Sequence, residues 1–493
     1  MKKVYYLMNK DSVVLEFIGN KKNDFSDDIY FTEVNRKGKI PFGFSSINSW
    51  IEGRKASKHN AHLRSIMKKL GCNDNEGFIR ITHATSVNDT FWIKSENENI
   101  SWNDVSLYSN QFTEAISKLA FEGVGLYEEV FSSTSPELSC DGSFRKCFKK
   151  EEKKGEFGSN IFLYKRGHEL GAGLEPYCEA LASEIAGIIA PENYVKYEIC
   201  YLHDRLASKC NIFTDEINGY ASFAKINPSA RYSLQDIFEY FEKIGSEEVF
   251  REMLVVDSLC FNQDRHAGNY GVIFDNNTME VKGMSPIFDL NLSMLPYVEM
   301  EEFEHIGDKL FEYAPKLGDD FTRIGQMGMN DVIRERVKNI VDFSFTFRGD
   351  EKFSSERVQK LEDVIRKQAK AILSKEKLQT SDVFYSNNAK VYENQQMKVE
   401  EASASMEEFL TKIDEEKLSE GSFLSVCNGS DTVQLYLENE SYMLTIDFLN
   451  NSFIVKQNTI DVTEEELKNN APDFYKDVKY IEEIYNKFCE GKV

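Results

Sequence analysis

Asp264-Arg265-His266-Ala267-Gly268-Asn269, followed by Pro286-Ile287-Phe288-Asp289, decides how the rest of this chain is read. The two stretches supply an acid, an amide five positions later and a second acid, the set that phosphoryl transfer from ATP uses. The first acid takes the proton of the attacking hydroxyl, so Asp264 has to be ionised and within hydrogen-bond reach of it. Asn269 and Asp289 offer the hard oxygen ligands that Mg²⁺ takes. Upstream, Phe250, Met253, Leu254, Asp257 and Phe261 fall at helical intervals. Asp264 is therefore expected where a buried helix gives way to a polar loop, and Asp289 at the end of an apolar, strand-like run. Asp, Gly and Asn equally suit an ordinary surface turn, so the reading turns on what lies upstream.

Ile161-Phe162-Leu163-Tyr164-Lys165 reads as a short apolar strand with one lysine at its end. A lysine there reaches the α- and β-phosphates when a glutamate on the next helix orients it. The helix is predicted over Glu175 to Ile189, with Leu174, Cys178, Leu181, Ile185 and Ile188 on one face. Glu179 and Glu184 both qualify as the partner. Ser139-Cys140-Asp141-Gly142-Ser143-Phe144-Arg145-Lys146 precedes this strand, and Gly142 alone reads as a hairpin glycine. Alternating apolar residues predict strands over Tyr194 to Tyr201 and Leu206 to Phe213. Cys210 to Phe213 then becomes the hinge facing adenine. No Walker-type Gly-Lys-Ser/Thr loop occurs, which argues against a P-loop NTPase.

Together these segments resemble the HipA-like serine/threonine kinases, bacterial kinases best known as toxins of toxin–antitoxin pairs. The family's Ser-x-x-Gly-x-x-x-Lys phosphate loop is matched by Ser139, Gly142 and Lys146, and its strand lysine by Lys165. Its helix glutamate is matched by Glu179 rather than Glu184, because Ala186 fits the helix ending. Asp264, Arg265, His266 and Asn269 match its Asp-Arg-His-x-x-Asn loop. Pro286, Phe288 and Asp289 match its metal motif. The resemblance implies a two-lobed, protein-kinase-like α+β fold, ATP with Mg²⁺, and transfer to Ser or Thr hydroxyls of a protein. Asp264 is then the base, Arg265 and His266 buttress its loop, Asn269 and Asp289 take the metal, and Ser139 is itself a phosphorylation candidate. An antitoxin-like protein partner is implied in the same way. The phosphate loop departs from the Gly/Ala/Gln-rich loop of the toxins, and the amino-terminal region differs from their compact subdomain.

The chain has 493 residues, 41% hydrophobic, enough for about three domains. A formal charge of −23 argues against general nucleic-acid binding, which draws its affinity from Lys and Arg on phosphates. It also disfavours anionic membranes. The apolar run at Met1 to Asp11 is too short for a signal peptide, and none reaches membrane-spanning length. Nine irregularly spaced Cys fit reduced thiols in a cytoplasmic protein.

The expected organisation is an amino-terminal α/β module (1–131), a kinase small lobe (132–216), a large lobe (217–376), a polar linker (377–405) and a small α+β accessory domain (406–493). The module opens with strands over Val4 to Leu7 and Ser12 to Ile18, then a helix around Asn60 to Leu70. Its Trp50, Trp92 and Trp102 are expected in the core. Its stretch Ser86 to Lys94 resembles one in HipA-like proteins of low-GC bacteria. A helix is predicted over Glu356 to Leu373. The last domain is expected to carry strands over Thr432 to Leu437, Tyr442 to Phe448 and Ser452 to Lys456, turned at Asn450-Asn451 and bracketed by acidic helices. Two other functions fit the same residues: a kinase of a lipid, inositol or other small acceptor, and a nucleotide-binding scaffold without turnover.

Overall fold

The computed structural model describes residues 3–21, 29–56, 67–68, 70–72, 74–122, 135–140, 144–168, 172–228, 232–384, 423–428, 431–438, 441–448 and 451–455. Most of the helix expected near Asn60, the linker beyond 384, Asn450 of the expected Asn450-Asn451 turn and the acidic helices around the last strands lie outside these residues. The chain divides into two compact units, 1–305 with 314–383, and 306–313 with 384–493.

The first unit is a mixture of helices and antiparallel sheets. Its amino-terminal sheet has the order β3-β2-β1-β4, with β1 Lys3–Asn9, β2 Ser12–Lys21, β3 Ile29–Arg36 and β4 Phe91–Ser95. Tyr5 and Leu7 alternate inward along β1, as period-two strands require. The Tyr5 ring meets Phe17 at 5.6 Å and Phe31 at 5.4 Å. All three Trp are buried.

A second sheet of order β5-β6-β8-β7 is built from β5 Lys146–Lys150, β6 Ile161–Arg166, β7 Tyr197–Leu202 and β8 Arg205–Asn211. The helix Glu175–Ile189 connects β6 to β7 and is buried almost all round. Phe148, Ile161 and Ile212 share one core with Tyr5, Leu7 and Phe17, so this sheet and the amino-terminal sheet are packed through the same apolar interior.

A third sheet, β11-β10-β9, joins β9 Asn218–Ser222, β10 Gly271–Asp275 and β11 Val281–Met284. The helix Glu247–Cys260 packs among other helices, with Phe250, Met253, Leu254, Val255, Val256 and Leu259 fully buried. The helix Phe321–Gly328 approaches it closely because Gly325 and Gly328 face it. A Cβ at Gly328 would press on the Arg251 carbonyl at 2.8 Å. The apolar run before Asp289, expected to be strand-like, makes a single bridge between Ile287 and Tyr194. Pro286 has no N–H to give a ladder. The helix predicted over Glu356 to Leu373 is found as Ser355–Leu373.

The second unit contains an antiparallel meander, β12 Phe423–Asn428, β13 Asp431–Glu438, β14 Ser441–Phe448 and β15 Asn451–Val455. The first of these strands was not expected. Among the described residues no helix is long and apolar enough to cross a membrane.

Candidate active site

The loop carrying Asp264 is set by the helix before it. Glu247–Cys260 ends at Phe261, whose φ of 53° is left-handed and turns the chain out of the helix axis. Asp257, in the last turn, is 1% exposed and receives both Nε and Nη2 of Arg265 at 2.9 Å. This side-by-side pairing is the strong geometry for a guanidinium and a carboxylate. The remaining nitrogen, Nη1, donates to the Asn269 carbonyl at 2.8 Å and to the Phe288 carbonyl at 2.6 Å. One buried side chain therefore ties the loop's end and the residue before Asp289 to the helix. Asn262 adds a second brace: its Nδ2 donates to Asp257 at 2.8 Å, and its Oδ1 accepts from the Asp264 backbone N–H at 3.1 Å. The Asn269 amide donates to the Asp264 carbonyl at 2.9 Å. Its Nδ2 is thereby committed, and its Oδ1 is the atom left to act as an acceptor or ligand.

Lys165, at the end of β6, bridges two carboxylates. Its Nζ lies 2.5 Å from Glu179 Oε1 and 2.5 Å from Asp289 Oδ1. Ser208, opposite Lys165 in β8, donates to Glu179 Oε2 at 2.5 Å. Burial alone would push the lysine's pKa down; Asp289 and Glu179 outweigh it and hold the ammonium above its ordinary range. Burial likewise works against the ionised Asp289, but Lys165, Lys146 and Arg265 hold its carboxyl at about 2. Glu184, the alternative partner, points elsewhere and accepts from the Thr346 backbone N–H at 2.8 Å. The two glutamates are five residues apart on one helix, which puts them on different faces. Asp289 itself has φ 56°, a left-handed conformation that Asp tolerates better than most residues. Its N–H donates to the Tyr197 hydroxyl at 3.1 Å.

These side chains surround one cavity of about 910 Å³. Ser139, Lys146, Lys165, Cys210, Phe213, Asp264, His266, Asn269 and Asp289 all line it. Gly142 lies outside the described residues. Arg265 and Glu179, 1% exposed, stand behind the wall and act through Asp257, the loop backbone and Lys165. His266 is half-exposed; its Nδ1 accepts from the Gly268 N–H at 3.0 Å and its Nε2 is 3.9 Å from Asp264 Oδ2. Phe213, Tyr220 and Phe288 form a ring cluster with centroids 5.2–5.5 Å apart. That cluster connects the segment after β8 to the residue before Asp289.

Several contributors escaped the sequence reading, Val87, Asn88, Lys225 and Lys316 among them. Val87 and Asn88, from the amino-terminal sheet region, form part of the cavity wall. The Val87 carbonyl accepts from Thr214 Oγ1 at 2.5 Å, and the Asn88 carbonyl from the Tyr220 N–H at 2.7 Å. Lys225 lines the cavity after the Ala224 N–H bonds the Ala267 carbonyl at 2.9 Å. Lys316 places its Nζ 2.9 Å from Asp264 Oδ1. None belongs to a local motif. The stretch Ser86 to Lys94 was the one signal available.

The donor set suits Mg²⁺ with a polyphosphate. Among the described residues no cluster of three or more His, Cys, Asp or Glu is placed to hold a metal alone. Mg²⁺ in phosphoryl-transfer sites takes only one or two protein oxygens and fills the rest with phosphate and water. Asn269 Oδ1 and the Asp289 carboxylate are oxygens of the kind such a site uses. Lys146, Lys165 and Lys225 line the cavity with Asp264 and Asp289, so its wall carries one more cation than acid in a chain of net charge −23, a local excess that favours an anionic ligand.

No protein-family model matches this chain, and no curated protein sequence does. Among solved structures it is similar to CtkA, a proinflammatory kinase of Helicobacter pylori. That match has 15% identity and a TM-score of 0.35, over 46% of this chain and 92% of that one. It is also similar to HipA of Shewanella oneidensis MR-1, from a toxin–antitoxin complex of HipA, HipB and operator DNA. There the identity is 11% and the TM-score 0.43, over 74% of this chain and 96% of that one.

Proposed function

We propose that this chain is an ATP-dependent kinase of the HipA-like kind, transferring the γ-phosphate to Ser or Thr hydroxyls of a protein. The observation that carries the reading is Lys165 bridging Glu179 and Asp289 in the same cavity that Asp264 and Asn269 enter from the neighbouring loop. On this reading residues 132–216 and 217–376 act as the two lobes, with Cys210 to Phe213 against adenine. Lys165, steadied by Glu179, holds the α- and β-phosphates. Asp264 takes the acceptor's proton on a carboxylate oxygen as the acceptor oxygen attacks the γ-phosphorus. The electrons of the broken bond leave on ADP. Asn269 and Asp289 would hold Mg²⁺, which would supply charge neutralisation for the transferring phosphate. Arg265 keeps both ligand-bearing segments in register through the Asn269 and Phe288 carbonyls. The reading includes Ser139 as a site of autophosphorylation and an antitoxin-like protein partner, both by resemblance of motif.

The test is incubation of the purified protein with Mg²⁺ and γ-labelled ATP, alone and with bacterial lysate, beside Asp264→Asn. Label on protein that requires Asp264 supports a protein kinase, and mapping it between residues 132 and 143 tests Ser139. Label on a small molecule or lipid instead moves the activity to another acceptor. Saturable MgATP binding with no transfer makes the chain a scaffold.

A further inference from the structure

Asp264, which lines the cavity, has a cation beside it. Lys316, which belongs to none of the motifs above, puts its ammonium 2.9 Å from Asp264 Oδ1. The placement is built. Phe261, where the Glu247–Cys260 helix ends, packs edge-on against Phe321, where the next helix begins, with ring centroids 5.4 Å apart. Asp264 lies three residues beyond the first ring and Lys316 five before the second. Leu317 is buried. Gly318 turns the chain at φ 88°, where a Cβ would press on the Ile324 side chain. Asp320 caps the Phe321–Gly328 helix by accepting from the Arg323 N–H at 3.0 Å. One aromatic junction and one capped turn thus deliver the cation to the acid.

As a contribution to stability the pair is worth little, because the Lys316 side chain is 54% exposed and exposed ion pairs give roughly 0–1 kcal/mol. Its position is informative for another reason. With Oδ1 engaged by Lys316, and Oδ2 facing His266 Nε2 at 3.9 Å, beyond hydrogen-bond length, Oδ2 is the oxygen left for an incoming hydroxyl. An ammonium has three protons. One on Asp264 leaves two for a group beside it, and on the kinase reading the migrating phosphoryl group passes next to that acid. Its three equatorial oxygens carry the charge of the transition state.

Resting on the kinase reading, we infer that Lys316 is a catalytic residue that donates to the transferring phosphoryl group while holding Asp264 in place. The acceptor O–P bond forms as the bond from phosphorus to the ADP oxygen breaks. The hydroxyl proton goes to Asp264 Oδ2, the electron pair leaves with ADP, and Lys316 keeps its own proton throughout. A group that acts this way binds the transition state more strongly than the ground state.

The experiment is calorimetric binding of MgADP, with and without aluminium fluoride as a mimic of the transferring group, to wild type, Lys316→Met and Lys316→Arg. Thermal unfolding of each is measured alongside. The expected result is that wild type binds the fluoride complex more tightly than MgADP. Lys316→Met should lose tenfold or more of the fluoride-complex affinity while MgADP stays within twofold and the midpoint of unfolding is unchanged. Lys316→Arg should recover part of the loss. Equal binding of the fluoride complex by Lys316→Met and wild type overturns the role of Lys316 and leaves the kinase reading intact. Wild type that binds neither form overturns both.

Discussion

Arg265 and Asp257 meet through two parallel N–H···O bonds of 2.9 Å in a setting where both side chains are at most 2% exposed. The pair joins the main buried helix of the first unit to the loop that carries Asp264. Removing one member strands the other as an uncompensated buried charge. Asp257→Ala is therefore expected to cost about 3–5 kcal/mol of stability, read by urea unfolding. Replacing both with apolar residues, Asp257→Leu with Arg265→Met, should cost well under the sum of the single changes.

The two glutamates of the Glu175–Ile189 helix give a paired control. Glu179→Gln removes one counter-charge from Lys165 and should weaken MgATP binding by roughly tenfold, ~1.4 kcal/mol. Glu184→Gln removes only an acceptor for the Thr346 N–H and should leave that affinity unchanged. Titration calorimetry compares them, and equal losses would remove Lys165 from the phosphate site.

Acid stability should report on Asp289. Its carboxyl is held at about 2 in the folded chain against an ordinary 3.8. A depressed pKa contributes stability that is present above the ordinary value and is lost as pH falls through the folded one. Wild type should lose stability more steeply than Asp289→Asn between pH 4 and pH 2. At the alkaline end Lys165 acts in the opposite sense: its folded pKa is raised, so its contribution is complete below its ordinary value of 10.5 and fades only above it. Unfolding midpoints across pH check both arms.

Cys210 lines the cavity, yet burial pushes its thiol up to about 12. The thiolate is the reactive form. Iodoacetamide at pH 8 should leave Cys210 unmodified in the folded protein and label it fully in guanidinium, by peptide mass mapping.

The local parts of this site are legible in the chain because they are written in short segments. Asp264 and Asn269 are one loop. Lys165 ends one strand, and the helix after it follows from its apolar spacing. The distinction between Glu179 and Glu184 is weaker, since spacing alone admits both and the resemblance had to separate them. Val87, Asn88, Lys225 and Lys316 were illegible for a physical reason. Val87, Asn88 and Lys225 reach the cavity, and Lys316 reaches Asp264, through contacts across the fold, and nothing in their immediate neighbours records a distant partner. The run Pro286 to Phe288 misled in the other direction. Its composition is strand-like, but proline denies it a ladder, and it serves as the rail that Arg265 grips at Phe288. β3, β4, β5, β9, β10, β11 and β12 went unanticipated; most are only four to six residues long, and short runs without strict alternation resemble loops.

The composite wall of the cavity has a consequence for synthesis. Val87 and Asn88 leave the ribosome long before Asp289, and a gap of about 200 residues at 5–20 residues per second takes roughly 10–40 s. Midway through that interval, once Asn211 has been added, the strands that hold Lys165 and Cys210 are made while the loop bearing Asp264 and Asn269 is still to come. The amino-terminal wall thus waits as one half of a clasp, and a nascent chain arrested before Asp264 has Lys165 and Glu179 without Asp264, Asn269 and Asp289.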